Sequence, residues 1–315
     1  MAVDGRPLPT GEQHLLRRTG SSGEVTATVA ELAASLRSLR VGGAALVQEY
    51  PDELPPPSGA GIVLVPWPNR VADARWVLDG EEQLLDVTEP AKGNATHGLL
   101  RNAGYAVAER SDESLTLTAS VFPQHGYPFH LGTQVHHRLV DDGLVVTHTL
   151  VNHSDSPAPV AIGAHCYLRV AATPVEDLLV TVSGESYLQV DDRQIPVGRE
   201  AAAGTGHDLR HGAPLGELDL DTTYTDLQAV DGSFRHRLHS PHGESTELWT
   251  DLEFGFVQVY TKHAFPGPDG PEFAVALEPM TAAPDALNSG EGLRWLDPGE
   301  SWSVSWGLRR MADGS

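Results

Sequence analysis

This sequence is short of the residues on which several functional classes depend. It has one cysteine, Cys166, so no intramolecular disulfide can form and a disulfide-stapled secreted scaffold is excluded. Only two lysines occur, Lys92 and Lys262, and no dense basic cluster of arginines replaces them. The 43 acidic residues outnumber the 21 basic ones and leave a formal net charge of -22. A surface this acidic repels nucleic acid and anionic membranes, so neither is expected as a partner. Histidine is abundant, yet no Cys-x-x-Cys or His-Glu-x-x-His motif is present. His136 and His137 are adjacent and would face opposite sides of a strand. His236, His239 and His242 sit in an Arg/Ser/Pro/Gly segment that reads as a loop. Neither a metal nor an organic cofactor is therefore expected. No apolar run approaches the roughly 20 residues of a membrane helix. Met1 to Arg18 lacks the apolar centre of a signal peptide. The cytoplasm is the expected location.

What is present suits a large β protein. The chain has 315 residues, 40% of them hydrophobic and 20% charged, which fits a soluble globular protein with a sizeable core. Its 32 glycines and 23 prolines are scattered evenly, as expected for many short strands joined by turns. Apolar residues alternate with polar ones from Ser114 to Val121 and from Phe256 to Thr261. Thr133 to Val140 and Leu144 to Val151 flank Asp141-Asp142-Gly143, a hairpin signal. Trp302, Val304 and Trp306 share one face of a last strand. Val25 to Val41 reads as two strands, although its alanine and leucine content also allows a helix. The expected fold class is all-β, a large antiparallel β-sandwich, with residues 1–315 as a single domain and 1–20 and 311–315 loose. Pro51 to Ala60 reads as a surface loop ahead of a strand from Gly61 to Val65, and Ala201 to Pro214 as a long loop.

Four segments carry protonatable or charged groups beside turn-forming residues. They are Pro66-Trp67-Pro68-Asn69-Arg70, Asn94-Ala95-Thr96-His97-Gly98-Leu99, Gly163-Ala164-His165-Cys166-Tyr167 and Ala276-Leu277-Glu278-Pro279-Met280. The last runs on into Pro284-Asp285-Ala286-Leu287-Asn288-Ser289-Gly290. Glu278 follows an apolar run and precedes a proline, which should end strand pairing and open a loop. Arg70 offers a rigid fork of donors suited to vicinal oxygens. Gly98 would let the backbone bend or a ligand come close. One arginine, two histidines and one carboxylate at strand-to-loop boundaries can hold a neutral polar substrate and move protons across it. A carboxylate and an imidazole, with unperturbed pKa values of about 4.3 and 6.5, suit base and acid near neutral pH.

In this order and with these neighbours, the segments resemble the aldose 1-epimerase (galactose mutarotase) family. The resemblance covers roughly Val25 to Leu308 and includes His125-Gly-Tyr-Pro-Phe ahead of the hairpin. It departs after His165, where Cys166, Tyr167 and Leu168 replace the family's usual Pro then Tyr-Phe. It implies the family's supersandwich fold and mutarotation of a free aldose such as galactose or glucose. In that reaction a base takes the proton of the anomeric hydroxyl and an acid protonates the ring oxygen. The open aldehyde then rotates about C1–C2, and the groups reverse roles on closure. The resemblance makes Glu278 the base and His165 the acid, with His97 contacting ring or hydroxyl oxygens and assisting protonation. It makes Arg70, Asn69 and Asp221 substrate-binding residues; Asp221 lies three positions before Tyr224. The sugar is the expected small-molecule partner. Three other readings compete: a glycoside hydrolase, which needs a second carboxylate; a non-catalytic sugar-binding module; and a relative acting on hexose 6-phosphates, which needs extra cations for the phosphate.

Overall fold

The computed structural model describes residues 7–21 and 23–311. The expected looseness of residues 1–6 and 312–315 lies outside the described residues. Nearly all regular structure is β, and Ala286–Ser289 is the only α-helix among the described residues. Two large antiparallel sheets dominate. The ten-stranded sheet runs in the order Ala106–Arg110, Ser114–Val121, Leu131–Val140, Gly143–Asn152, Ser301–Met311, Ser245–Thr250, Ser233–His239, Leu179–Thr181 and Ala213–Pro214, with Ala229–Val230 pairing off this path. The eight-stranded sheet runs Pro196–Ala201, Gly184–Val190, Asp221–Leu227, Phe256–Gly267, Gly270–Met280, Gly163–Ala164 and Val63–Leu64, with Cys166–Leu168 pairing beside Gly270–Met280.

The alternation in the sequence becomes the inner face of this sandwich. Leu131, Thr133, Val135, His137 and Leu139 point inward from one strand, and Trp302, Val304 and Trp306 from another. They join Val257, Val259, Val275 and Leu277 of the smaller sheet in one continuous core. Each such large apolar side chain contributes roughly 1.5–3 kcal/mol on burial. The Asp141-Asp142 turn joins the expected hairpin with Val140 opposite Gly143. The ten-stranded sheet also buries a carboxylate. Glu247 is fully enclosed between cross-strand neighbours Arg237, whose Nε lies 2.6 Å from Oε2, and Arg309, whose Nε lies 2.8 Å from Oε1.

Several expectations need correction. Residues up to Gly20 were expected to be loose, but Gln13–Gly20 is a strand paired along its length with Gly23–Ala30. Its alternate buried residues, His14 and Leu16, tie it to the core. The ambiguous Val25 to Val41 region is two strands, Gly23–Ala30 and Leu36–Val41. The histidines read as a loop cluster begin inside the strand Ser233–His239, which burial of His236 and Leu238 fixes. Of the strand expected from Gly61 to Val65, only Val63–Leu64 is regular, and Val65 bridges to Gly98. Pro279 does not end pairing. It lies opposite Val257, and Gly270–Met280 continues to Met280. A proline is tolerated there because the other edge is broken: Leu277 pairs Cys166 and Met280 pairs Gly163, with His165 in the gap.

No helix of the described residues is long and apolar enough to cross a membrane.

Candidate active site

Strand register assembles one wall of a cleft on the smaller sheet. Thr223, Gln258 and Glu278 are direct cross-strand neighbours, as are Asp221, Tyr260, Ala276 and Tyr167 one step along. Residues two apart share a face, so Asp221, Thr223, Gln258, Tyr260 and Glu278 all project to the side away from the core. The ladder gap at His165 brings its ring into the same layer. His165 Nε2 lies 3.3 Å from Glu278 Oε1. His165 stacks on Tyr167, ring centroids 5.3 Å apart. Gly59 (φ +79°) lies against its other side, where an added Cβ would come within 3.1 Å of the imidazole.

The opposite wall is a two-strand clasp, Arg70–Val71 against Ala95–Thr96. His97 donates its backbone N–H to the Asn69 carbonyl at 2.8 Å. Asn69 and His97 both have left-handed backbones, φ 54° and 62°, a conformation that costs non-glycine residues energy and concentrates at functional sites. Gly98 serves the backbone. An added Cβ would stand 2.0 Å from the Val65 carbonyl oxygen, so its absence allows the close crossing of two chain segments. Asn69 accepts the Arg70 N–H on Oδ1 and donates from Nδ2 to Gln258 Oε1 at 3.3 Å, linking the two walls. The His97 and His165 rings meet edge to face at 5.4 Å.

All six residues expected from the sequence, Asn69, Arg70, His97, His165, Asp221 and Glu278, line this cleft of about 410 Å³, a size within the usual range for small-molecule sites, about 300–1,000 Å³. Trp67 does not; it is buried in the core 6.0 Å from the Tyr127 ring. Arg70 is oriented by a fork to Glu89, donating from Nε at 3.0 Å and Nη2 at 3.1 Å, with Asp221 Oδ2 at 3.4 Å from Nη2. Gln258 donates to Asp221 Oδ1 at 2.6 Å and accepts from the Thr223 hydroxyl. Sequence reading missed Gln258, Glu89, Tyr260, Lys92 and Arg101, which also line the cleft. The available signal for Gln258 was a lone amide between two valines in an alternating strand.

Electrostatics set Glu278 and His165 apart from ordinary surface groups. Both are almost wholly enclosed. Burial raises the Glu278 carboxyl well above its normal range, Asp221 adds to the rise and Arg70 opposes it. Burial pushes His165 down to about 3, helped by Arg101. His97 is lowered well below 6.5, first by burial and then by His165, Arg101 and Arg70. With a carboxylate and an imidazole in contact and both charged forms disfavoured by burial, the electrostatics favour the neutral pair, with its proton on Glu278. Glu278 Oε2, His165 Nδ1 and His97 Nδ1 are buried without a partner among the described residues. Unpaired buried polar atoms are costly unless a ligand engages them.

A larger cleft, about 570 Å³, lies at the far end of the Phe256–Gly267 and Gly270–Met280 hairpin. Four of its charges are taken up in the pairs Arg40–Glu49 and Arg169–Glu272, and the remaining one, Asp269, is exposed. Among the described residues no group of three or more His, Cys, Asp or Glu is placed to hold a metal ion.

Comparison with known proteins agrees with this geometry. The family model for aldose 1-epimerase matches residues 18–309. The uncharacterized protein YihR of Escherichia coli (strain K12) is 31% identical over 292 residues, covering 89% of this chain and 88% of that protein. The aldose 1-epimerase of Escherichia coli (strain K12) is 26% identical over 283 residues, covering 83% of this chain and 78% of that enzyme. Among solved structures, a GalM/aldose epimerase homologue from C. elegans superposes with a TM-score of 0.83 at 19% identity, covering 96% of this chain and all (100%) of that one.

Proposed function

Because this chain belongs to the aldose 1-epimerase family, we propose that it is an isomerase interconverting the α and β anomers of a free aldohexose, such as galactose or glucose. Glu278 is the base for the anomeric O1–H. His165 is the acid for the ring oxygen, and His97 contacts that oxygen and assists. Arg70, Asn69 and Asp221 hold the hydroxyls. The observation that carries this reading is the 3.3 Å contact between Glu278 and His165 at the floor of a polar cleft. The oxygens that exchange a proton in mutarotation, O1 and the ring oxygen, are both bonded to C1. A base and an acid in contact can therefore reach both as the ring opens, and again after the aldehyde has turned about C1–C2. The two proton transfers accompany cleavage and re-formation of the bond between C1 and the ring oxygen, and no other reagent is consumed.

The same geometry counts against a glycoside hydrolase. That mechanism separates two carboxyl groups by roughly 5 to 10 Å across the scissile bond. Here the group facing Glu278 is an imidazole. Asp221, the remaining candidate, has both oxygens engaged, one by Gln258 and one by Arg70. A binding module would have no need to desolvate an acid–base pair.

Polarimetry tests the proposal. Freshly dissolved α-D-glucose and α-D-galactose should decay to equilibrium rotation faster with protein than in buffer. The rate should be bell-shaped in pH, because turnover needs one proton shared by the pair. Decay no faster than buffer for every aldose tried, or a rate that only rises from pH 5 to 9, contradicts it.

A further inference from the structure

The segment Pro284-Asp285-Ala286-Leu287-Asn288 takes no part in the acid–base chemistry, yet it meets the clasp beside Arg70. Asp285 stands at the N-cap of the short helix Ala286–Ser289, where an aspartate carboxylate ordinarily accepts a backbone N–H of its own helix. It makes no such bond, and its backbone is left-handed, φ 63°, a conformation that costs a non-glycine residue energy. The residue is turned instead toward residues 70–72. Its N–H donates to the Arg70 carbonyl at 2.7 Å. Its Oδ1 accepts the Ala72 N–H at 2.9 Å and the Asn288 amide at 2.7 Å. Asn288 donates from the same Nδ2 to the Arg75 carbonyl at 2.8 Å.

These bonds stand in for a missing strand. Arg70–Val71 pairs with Ala95–Thr96 on one edge only. The other edge presents the Arg70 N–H and carbonyl and the Ala72 N–H. Asn69 Oδ1 takes the first at 2.9 Å, and Asp285 takes the other two. Left-handed residues bound this short strand, Asn69 before it and Asp73 and Ala74 after it (φ 54°, 54° and 50°), so the ladder cannot extend to find another partner. The remaining links from this segment across the cleft are long. Asn69 reaches Gln258 at 3.3 Å and Arg70 reaches Asp221 at 3.4 Å, beyond the ordinary range of an N–H···O bond. Glu89 holds the guanidinium more closely, at 3.0 and 3.1 Å, but it pairs back onto Asn94 on the clasp's own side. Asp285 lies on the same run of chain as Glu278, beyond Pro279. Its two short bonds to the clasp therefore set how far Arg70 stands from the base.

We propose that Asp285 is a positioning residue for Arg70: its N–H and carboxylate fix the arginine's backbone to the chain segment that carries Glu278. The inference rests on the acid–base reading of the cleft, in which Arg70 holds the sugar and Glu278 is the base. Asp285 is not among the residues that line the cleft, so it acts through Arg70 and not on the sugar. Loss of its carboxylate leaves the Ala72 N–H without its acceptor and frees the outer edge of the Arg70 strand. A shift of about 1 Å in a group that orients substrate can cost on the order of 100-fold in rate.

A double-mutant cycle and an NMR signal of Arg70, both on the full chain, test this. Asp285→Gly keeps the left-handed backbone and removes the carboxylate. Asp285→Asn keeps Oδ1 as an acceptor and tolerates the same backbone. Anomer exchange of D-glucose and D-galactose at equilibrium gives kcat and KM. Asp285→Gly should lower kcat/KM by on the order of 10- to 100-fold, mainly through KM, and Asp285→Asn should restore it to within about threefold of wild type. In an Arg70→Met background, Asp285→Gly should cost no more than about twofold further, because the two residues act as one. With nitrogen-labelled arginine, the Arg70 Nε–H resonance is assigned by its loss in Arg70→Met. It should shift and exchange faster with water in Asp285→Gly and return in Asp285→Asn, while the Nε–H of Arg237, bound to Glu247, stays in place. A general loss of stability would move both arginines. An equal fractional loss in both backgrounds, undiminished kcat/KM in Asp285→Gly, or an Arg70 resonance that does not move overturns the proposal and leaves the mutarotase reading standing. A wild type that exchanges no aldose tried, with the Arg70 resonance moving as expected, overturns the mutarotase reading and upholds the positioning role.

Discussion

Glu278→Gln separates catalysis from stability because the two effects have opposite signs. The substitution keeps the shape of the side chain and removes the proton acceptor. General acid–base groups contribute about 10²- to 10⁴-fold, so turnover should fall by at least about a hundredfold, while sugar binding changes little. Stability should move the other way. The folded protein holds the Glu278 proton more tightly than the unfolded chain, because burial and Asp221 disfavour the carboxylate. A raised carboxyl pKa gives a contribution that is fully present below the unfolded value, about 4.3, and is lost as pH rises through the folded value. Each unit of that rise costs the wild type about 1.4 kcal/mol at the high-pH end. Glutamine has no proton to lose. The difference in Tm, variant minus wild type, should therefore be smallest at the lowest pH at which both fold and grow with pH until it levels off. Polarimetry and thermal melts at matched pH read both halves. Near-normal turnover by the variant refutes the base assignment. A Tm difference that is flat or falls with pH refutes the claim that the carboxylate is buried at a cost.

Two further outcomes follow from other buried charged or titratable groups. His137, His148, His165 and His236 are each held down to about 3, mainly by burial. The unfolded chain takes up these protons near 6.5, so it binds more protons than the fold between those values, and stability rises with pH there. At pH 5 each histidine withholds roughly 2 kcal/mol, at most about 8 together, comparable with a domain's whole stability of about 5–15 kcal/mol. Circular dichroism should show cooperative acid unfolding above pH 4, and an intact near-UV spectrum at pH 4 contradicts it. Glu247→Ala should cost about 3 kcal/mol, the low end for breaking a buried ion pair, because Arg237 and Arg309 keep about a third of their side chains exposed, 32% and 30%. An unchanged urea midpoint contradicts that.

The parts legible in the sequence were those that repeat or that travel in short motifs. Thr133 to Val140 and Leu144 to Val151 revealed a hairpin because one face of each strand, Leu131–Val140 and Gly143–Asn152, is buried. The six site residues were legible because each sits in its own local segment. Gln258, Glu89 and Arg101 were not, since their importance depends on register and on chain crossings between distant segments. Gln258 matters because it pairs opposite both Thr223 and Glu278, in strands more than thirty and about twenty positions away in sequence. Pro279 misled because proline commonly stops a strand. It fits inside this one since its unpaired edge faces the gap that His165 occupies. The N-terminal strand was hidden because exposed Leu15 beside buried Leu16 blurs the alternation, and His14 is its other buried residue.

That gap links the fold to the chemistry. An unbroken ladder between Gly163–Ala164, Cys166–Leu168 and Gly270–Met280 would place side chains at regular spacing above a flat sheet. The interruption instead turns the 165 position toward Glu278, close enough for an imidazole and a carboxyl to share one proton. Sharing matters more than either pKa alone. A pair with one proton always offers one donor and one acceptor, whichever atom holds the proton at rest. Ring opening and ring closure use the same two groups in opposite roles, so the proton must pass between them in each half of the cycle. Burial disfavours both charged forms here, Asp221 and Arg70 act on Glu278 in opposite senses, and Arg101 biases His165 from the far wall. The charges around the pair therefore set its balance.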